Sequence, residues 1–167
     1  MYLSLIVCTD SKGGIGYNGS IPWLISEDLN HFKNVTSNRY IIAGRVTWES
    51  IPDRSGKGIK LPNRTPIVIT SNLKYKVPNG VAVPDLHSAL RAVPNNYYDE
   101  IIIIGGAQLY KDSLPYVTKI YLTEIDKNFN CDRFFIINHS KWKDESVSDW
   151  KTHSDEFKYR FKILVRK

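Results

Sequence analysis

Residues 99–110, DEIIIIGGAQLY, decide the fold class. Four isoleucines in succession form an apolar run of strand length, and such a run indicates a strand that is buried on both faces of a sheet. Paired glycines end this strand, and AQLYKDSL (107–114) continues as a helix. A buried strand that turns directly into a helix is typical of an α/β sheet.

The same alternation recurs along the chain. Apolar runs predict further strands at 2–8, 39–44, 65–70, 80–84 and 119–126. Helical patterns occupy 45–51, 26–36 with Ser26 as the N-cap, and 85–93 with Asp85 as the N-cap. Two late segments, 132–138 and 157–167, predict antiparallel strands. We therefore expect one domain, residues 1–167, folded as an α/β three-layer sandwich with a largely parallel sheet.

Composition excludes several classes of protein. The 167 residues are 42% hydrophobic and 24% charged, which excludes disordered and collagen-like chains. The net charge of +6 is scattered, apart from Arg54, Lys57, Lys60 and Arg64 and a basic C-terminal strand, so nucleic-acid binding is not favoured. Two cysteines, no basic leader and no bilayer-length apolar run predict a cytoplasmic location.

The segment GGIGYNGSIPW (13–23) contains the spacing G-x-G-x-x-G at Gly14, Gly16 and Gly19. This spacing is typical of dinucleotide-binding turns, which require a helix to open from the last glycine. Here Pro22 follows instead, and the expected acidic residue about 20 positions later is missing. Two interpretations stay open: a mobile lid that covers a site with Ile21 and Trp23, or an ordinary connection held by a buried tryptophan.

Asp28 is the candidate ionisable group. It lies in the first turn of the predicted helix 26–36 and shares a face with Leu29 and Phe32, which is costly for a carboxylate unless it has a partner. An acid in a first turn can also simply complement the helix dipole, and we expect Glu27 to do only that. Both a functional and a structural role remain open for Asp28 on residue types alone.

Polar groups and glycines suited to anions follow several predicted strands. Gly105 and Gly106 follow one strand, AGRVTWES (43–50) repeats the arrangement with Arg45 and Thr47, and ITSN (69–72) supplies Thr70 and Ser71. Ligands of open α/β sheets bind beyond the carboxyl ends of the strands. Each motif taken alone can also be an ordinary turn after a strand that binds no anion. No phosphate-loop, nucleophile-elbow or metal-ligand spacing occurs, so we expect no metal.

Taken in order, IPWLISEDLNHFK, AGRVTWESI, LPNR, IIIIGGAQLY and IYLTEID closely resemble the dihydrofolate reductase family over nearly the whole chain. The resemblance implies an eight-stranded, mostly parallel sheet with about four flanking helices. It also implies NADPH-dependent reduction of 7,8-dihydrofolate to 5,6,7,8-tetrahydrofolate, which feeds one-carbon metabolism and thymidylate synthesis. Hydride passes from nicotinamide to C6 of the pterin, and N5 is protonated.

The resemblance also assigns residues. It implies that Asp28 binds N3 and the 2-amino group of the pterin, that Thr123 hydrogen-bonds the acid and the pterin, and that Trp23 belongs to the catalytic set. Arg64 matches the arginine that binds the glutamate α-carboxylate of the substrate, and Ile104 matches a residue whose carbonyl faces the pterin. The other implied pterin and benzoyl contacts are Ile6, Val7, Leu29, Phe32, Ile51 and Leu61.

For the cofactor, the resemblance implies three groups of contacts. The lid and the end of the first strand contribute Cys8, Ile15, Gly16, Asn18, Gly19 and Ser20. The pyrophosphate turns contribute Gly44, Arg45, Val46, Thr47, Gly105, Gly106, Ala107, Gln108, Leu109 and Tyr110. Thr70 and Ser71 lie near the adenosine phosphate.

Several positions depart from the common pattern of the family. Gln108 replaces an arginine near the 2′-phosphate, Val46 replaces a polar residue, and Ala107 replaces a glycine, so the preference for NADPH over NADH is open. The loop from Pro52 to Pro62 is longer than in compact bacterial members.

The implied partners are dihydrofolate and NADPH, with competition by antifolates such as methotrexate or trimethoprim. The protein is expected to be a monomer that binds neither nucleic acid nor a membrane. Two alternatives remain: a reductase of the same fold that acts on another pterin or a riboflavin precursor, and a non-catalytic folate- or nucleic-acid-binding protein.

Overall fold

The computed structural model describes all residues, Met1–Lys167, and contains four helices and eleven strand segments. The helices are α1 (Ser26–Thr36), α2 (Arg45–Ser50), α3 (Leu86–Ala92) and α4 (Ala107–Ser113). The strands are β1 (Tyr2–Thr9), β2 (Gly14–Gly16), β3 (Tyr40–Gly44), β4 (Thr65–Ile69), β5 (Val81–Val83), β6 (Glu100–Gly105), β7 (Lys119–Ile125), β8 (Arg133–Phe134), β9 (Trp142–Val147), β10 (Lys151–His153) and β11 (Phe157–Arg166). No helix is both long and apolar enough to cross a bilayer.

The main sheet confirms the expected architecture. Its order is β10-β11-β7-β1-β6-β3-β4-β5, with β9 also paired to β11. The five pairs from β7 through to β5 are parallel, and β11 is antiparallel to β7. Strands β9 and β10 pair with successive parts of β11, so they share one edge and the sheet has eight strand positions.

Two apolar clusters fill the space on either side of the sheet. Strand β1 divides its side chains between them, because successive side chains of a strand point to opposite faces. Leu3, Leu5 and Val7 belong to the cluster that packs under α3 and α4, whereas Ile6 belongs to the cluster under α1 and α2. The helices therefore form the two outer layers of the predicted sandwich.

Some local predictions were wrong. Ser26 is the first residue of α1 rather than its cap, and Ile25 occupies the cap position without a side-chain hydrogen bond. The segment 132–138 forms only the two-residue strand β8, which pairs with β2 and not with the main sheet. The Asp85 cap is confirmed, because its Oδ1 accepts a hydrogen bond of 2.7 Å from the Ser88 N–H.

Asp10 joins the end of β1 to the two loops beyond it. Its carboxylate is 3% exposed and accepts hydrogen bonds from the backbone N–H groups of Lys12, Gly14 and Phe129 at 2.9, 2.7 and 3.0 Å. Burial raises the pKa of Asp10, but these N–H groups outweigh burial, so its pKa lies below the ordinary value. Asp10 therefore ties the glycine-rich loop to the loop before β8.

We predict that Asp10→Ala lowers the free energy of unfolding at pH 7 by at least about 2 kcal/mol, because buried N–H donors lose their acceptor. The pKa of Asp10 is lower in the folded chain, so its contribution is present above the unfolded pKa and is lost as pH falls through the folded pKa. Urea titrations should therefore show the difference between wild type and variant shrinking below about pH 4.

Asp53 provides the control. Its carboxylate also accepts three backbone N–H groups, from Ser55, Gly56 and Gly58, but it lies on an exposed loop where water can replace it. Asp53→Ala should therefore lower the urea midpoint much less than Asp10→Ala does. Equal losses for the two variants would contradict the role given to Asp10.

Candidate active site

The carboxyl ends of the central parallel strands meet at one edge of the sheet. Neighbours β7, β1, β6, β3 and β4 run in the same direction, so residues at their ends lie side by side. Adjacent strands lie about 4.8 Å apart, and this row therefore spans about 19 Å. A cleft beyond such an edge is the usual ligand site of an open α/β sheet.

Asp28 reaches this edge from α1. Thr123, on β7, donates a hydrogen bond of 2.6 Å from its hydroxyl to Asp28 Oδ1, and Cys8 lies opposite Thr123 in the β1–β7 register. Burial raises the pKa of Asp28, although the Thr123 hydrogen bond opposes this shift. Burial and the neighbouring Asp28 charge also raise the pKa of the Cys8 thiol. The thiol of Cys8 thus belongs to the surroundings of Asp28, while the family resemblance implies a cofactor contact through the Cys8 backbone.

An apolar wall lies beside the carboxylate. Five of the predicted substrate contacts pack in one cluster: Ile6, Phe32, Ile51, Leu61 and Ile104. Val7 is different, because strand alternation turns its side chain into the cluster on the opposite face, so only its backbone can reach this pocket. Leu29 is 55% exposed on α1.

Arg64 carries an unused hydrogen-bond donor. Its Nη1 donates to the Pro62 carbonyl at 2.5 Å, while its buried Nε has no partner. Burial lowers the pKa of the guanidinium. A half-buried guanidinium with a free donor is suited to a planar carboxylate.

Two glycine turns lie next to each other in the row of strand ends. Gly44 ends β3 and precedes α2, and Gly105 and Gly106, joined by a cis peptide bond, lie between β6 and α4. A Cβ atom on Gly44 would lie 3.8 Å from the Gly105 carbonyl, and one on Gly106 would lie 2.9 Å from Thr47 Oγ1. Neither α2 nor α4 has a side-chain cap, so the N–H groups of both first turns are available to a phosphate.

The remaining predicted cofactor side chains fall into two sets. Arg45 pairs with Glu49 at 3.0 Å, Gln108 donates to Asp112 at 2.8 Å, and Val46 is exposed, so all three lie on the outer surface of their helices. Ala107 begins α4 as a half-buried residue. Thr70 and Ser71 follow β4, with Thr70 buried and Ser71 exposed.

Leu109 and Tyr110, which follow the Gly105–Gly106 turn, direct their side chains into the core. Both are buried in the cluster under α4, and the Tyr110 hydroxyl lies 2.7 Å from the Ile6 carbonyl and 3.0 Å from the Ile104 carbonyl. Burial raises the pKa of this hydroxyl above its ordinary value. Their side chains therefore help to hold β1, β6 and α4 together, and the Tyr110 N–H donates to the Gly106 carbonyl at 2.9 Å.

The glycine-rich loop is paired along its length. Gly14 and Gly16 pair with β8, and the half-buried Ile15 packs against the core. Tyr17 and Ser20 form a bridge around Asn18 and Gly19, whose φ angles are 49° and 79°. Positive φ at both central residues defines a type I′ hairpin turn, for which Asn-Gly is the favoured sequence signal. This hairpin turn was not predicted from the sequence.

Two contacts fix the loop at its outer end. The Asn18 N–H donates to Asp132 Oδ2 at 3.0 Å, and the half-buried Trp23 ring contacts Phe129 with ring centroids 5.2 Å apart. Asp10, Phe129 and Asp132 were missed as site-supporting residues. For Asp10, an acid that directly follows a buried strand was the available signal; the others carry none.

Glu27 does more than complement the helix dipole, which corrects the sequence-based expectation. Its carboxylate accepts a hydrogen bond of 2.7 Å from the Tyr159 hydroxyl and forms an ion pair with Lys151. These contacts tie the first turn of α1 to β10 and β11.

Comparisons with known proteins agree on one family. A family profile described as "Dihydrofolate reductase" matches residues 2–166. The chain is similar to dihydrofolate reductases of Staphylococcus haemolyticus, at 36% identity over 98% of this chain and 95% of that protein, and of Bacillus subtilis, at 35% over 99% and 95%. It also resembles a dihydrofolate reductase from Enterococcus faecalis complexed with NADP(H) and RAB-propyl, with a TM-score of 0.84, 29% identity and coverage of 99% and 96%.

The raised pKa of Asp28 leads to a stability prediction. A carboxyl group whose folded pKa is raised favours folding below its unfolded pKa, and that contribution is lost as pH rises through the folded pKa. The ionised Asp28 therefore destabilises the ligand-free protein at pH 7. We expect Asp28→Asn to raise the melting temperature at pH 7 by up to about 3 °C.

Calorimetry of the ligand-free protein checks this expectation. The gain should shrink as pH falls through the raised pKa of Asp28, because the carboxyl group then takes up a proton in the folded protein. The exposed Asp149 gives a control, since Asp149→Asn should leave the melting temperature unchanged at both neutral and acidic pH. A lower melting temperature for Asp28→Asn at pH 7 would show that the ionised Asp28 stabilises the ligand-free protein, which contradicts this prediction.

Proposed function

The chain belongs to the dihydrofolate reductase family, and from that premise we propose that Asp28 is its catalytic carboxylate. Its activity is the NADPH-dependent reduction of dihydrofolate to tetrahydrofolate. When bound, NADPH supplies the hydride that the pterin accepts at C6. The hydrogen bond from Thr123 to Asp28 is the observation that carries the proposal for the acid.

In this proposal, Asp28 orients the pterin. Its ionised carboxylate accepts hydrogen bonds from N3 and the 2-amino group, and its negative charge in a poorly solvated pocket favours protonation of N5. Thr123 holds the carboxylate at a fixed angle by donating to Oδ1, and its hydroxyl oxygen can accept from the pterin. The half-buried Trp23 closes the pocket on the side of the loop. The proton reaches N5 through water, as the family resemblance implies.

The apolar cluster and Arg64 are proposed to hold the rest of the substrate. Phe32, Ile51 and Leu61 contact the benzoyl group, while Ile6 and Ile104 lie against the pterin. Leu29 is exposed on the same helix and covers the substrate from outside. Arg64 binds the α-carboxylate of the glutamate with the donors that the protein leaves free.

The residues of the glycine turns fit the pyrophosphate of NADPH. Gly44, Gly105 and Gly106 allow a close approach of the backbone, and the uncapped first turns of α2 and α4 present N–H groups. Thr47 stands between the two turns, and Arg45 supplies a positive charge that Glu49 holds in place. Thr70 and Ser71 lie at the next strand end, toward the adenosine, and the loop from Ile15 to Ser20 covers the nicotinamide.

The finer partner assignments are part of this proposal. Competition by methotrexate or trimethoprim follows from an acid that recognises an amidine-like edge of a ring. We propose that the chain acts as a single-domain monomer without nucleic-acid or membrane partners. Two free cysteines fit a reduced compartment such as the cytoplasm.

The decisive measurement is the loss of NADPH absorbance in the presence of dihydrofolate. We predict rapid loss with the wild type, and a rate lower by about 10²–10⁴-fold for Asp28→Asn, which is about 3–5 kcal/mol of activation free energy. The exposed Asp149→Asn variant should match the wild type. Equal turnover by Asp28→Asn would keep the activity and overturn the role of the acid.

Arg64 gives a second prediction. Arg64→Leu keeps the bulk of the side chain but removes a charge-assisted contact of about 1.5–3 kcal/mol, so KM for dihydrofolate should rise about 10–100-fold with kcat nearly unchanged. Dihydropteroate, which lacks the glutamate, should be reduced equally by wild type and variant. Arg54→Leu, in the exposed part of the same loop, is the matched control. A fall in kcat for both substrates would contradict a tail-binding role.

A further inference from the structure

The first turn of α1 is tied to the sheet at two separate points. Asp28 reaches Thr123 on β7, whereas the adjacent Glu27 reaches Tyr159 on β11 and Lys151 on β10. Neighbouring residues of a helix project about 100° apart, so the two carboxylates pull this turn in different directions. The position of Asp28 therefore depends on where Glu27 is held.

Few other contacts hold the beginning of α1. The helix has no side-chain cap, and its two buried residues, Val35 and Thr36, lie at its far end. Ahead of the helix, Ile25 packs in a small cluster with Phe157 and Tyr159. One turn after Asp28, the His31 ring packs against Phe161 with centroids 4.6 Å apart. The strands that receive α1 near Asp28 are thus β7 and β11.

The contact of Glu27 differs from an ordinary surface ion pair. Glu27 and Lys151 are 44% and 42% exposed, and such a pair alone contributes little. Tyr159, however, is 6% exposed, and its hydroxyl is fixed by the packing of its ring beside Phe161 at 5.9 Å. A donor with so little freedom holds the carboxylate at a defined place.

The titration behaviour agrees with this geometry. The hydrogen bonds from Lys151 and Tyr159 lower the pKa of Glu27 below its ordinary value, so it is a carboxylate at neutral pH. Burial, followed by the hydrogen bond to Glu27, raises the pKa of Tyr159 to about 12, so the phenol keeps its proton and remains a donor.

We propose that Glu27 and Tyr159 are positioning residues for Asp28, and that the C-terminal strands thereby fix the orientation of the catalytic acid. This inference rests on the proposed role of Asp28. Neither residue touches the substrate. They act by holding the first turn of α1 so that the Asp28 carboxylate contacts both Thr123 and the pterin ring of the substrate.

The test is a set of variants measured in two backgrounds, wild type and Asp28→Asn. Tyr159→Phe removes one oxygen, Glu27→Ala removes the acceptor, and Glu27→Gln keeps an oxygen that can accept from Tyr159. In the wild-type background, we expect Glu27→Ala and Tyr159→Phe to lower kcat/KM for dihydrofolate about tenfold, while Glu27→Gln stays within about threefold. In the Asp28→Asn background, both losses should shrink to less than about twofold, because the variants act through the group already removed.

Two further measurements separate positioning from stability. Glu124→Gln removes ion pairs with Arg160 and Lys162 on the same strand β11 without contacting α1, so it controls for general weakening of these strands. For any variant that turns over too slowly, the dissociation constant for dihydrofolate, measured by quenching of tryptophan fluorescence in both backgrounds, replaces kcat/KM in the comparison. Tyr159→Phe keeps the test possible if Glu27→Ala does not fold.

The outcomes are distinct. Losses confined to the wild-type background, with Glu124→Gln near wild type, support the proposal. Equal proportional losses in both backgrounds, or no loss in either, overturn it and leave Glu27 a structural residue. Full activity of Asp28→Asn itself would show that the proposed function of the acid is wrong. This single variant is therefore measured before any Glu27 variant.

Discussion

The arrangement of this protein depends on keeping an ionisable carboxyl group among apolar side chains. The hydrogen bond of 2.6 Å between Thr123 and Asp28 joins two residues that are 95 positions apart in the chain. A carboxylate in such surroundings is costly without partners, so α1 and β7 must be placed accurately relative to each other. Strand β7 is in turn fixed between β1 and β11. The geometry of the acid is therefore a property of the whole central sheet.

Most of the main sheet could be predicted from the sequence because its central strands are buried on both faces. Continuous apolar runs identify β1, β3, β4, β6 and β7, and the glycines at the ends of β3 and β6 identify the turns into α2 and α4. The small pair β2 and β8 could not be predicted, since segments of three and two residues have no periodicity. The cap of α1 was also mispredicted, because Ser26 is the favoured residue type but hydrophobic packing of Ile25 decides where the chain enters the helix.

The candidate site could be predicted in outline for a similar reason. The ends of parallel strands meet at one edge, so polar residues and glycines after different strands are brought together by topology alone. What the sequence could not give was the direction of individual side chains. Strand alternation turns Val7 away from the pocket, and core packing takes Tyr110 inward. Glu27, next to the acid, looks in sequence like any first-turn carboxylate, and only the distant strand β11 gives it a specific partner.

The fold leaves several polar groups without partners around the proposed substrate and cofactor sites. Three buried side-chain atoms lack hydrogen bonds, and two of them are Arg64 Nε and His31 Nε2, the second lying one turn after Asp28. The starts of α2 and α4 likewise lack side-chain caps. Each such buried group weakens folding, because a polar atom without a hydrogen-bond partner loses its hydration. The two large apolar clusters offset this loss, so the ligand-free protein can keep the Arg64 donor and the first-turn N–H groups of α2 and α4 unpaired for the proposed anionic groups of the ligands.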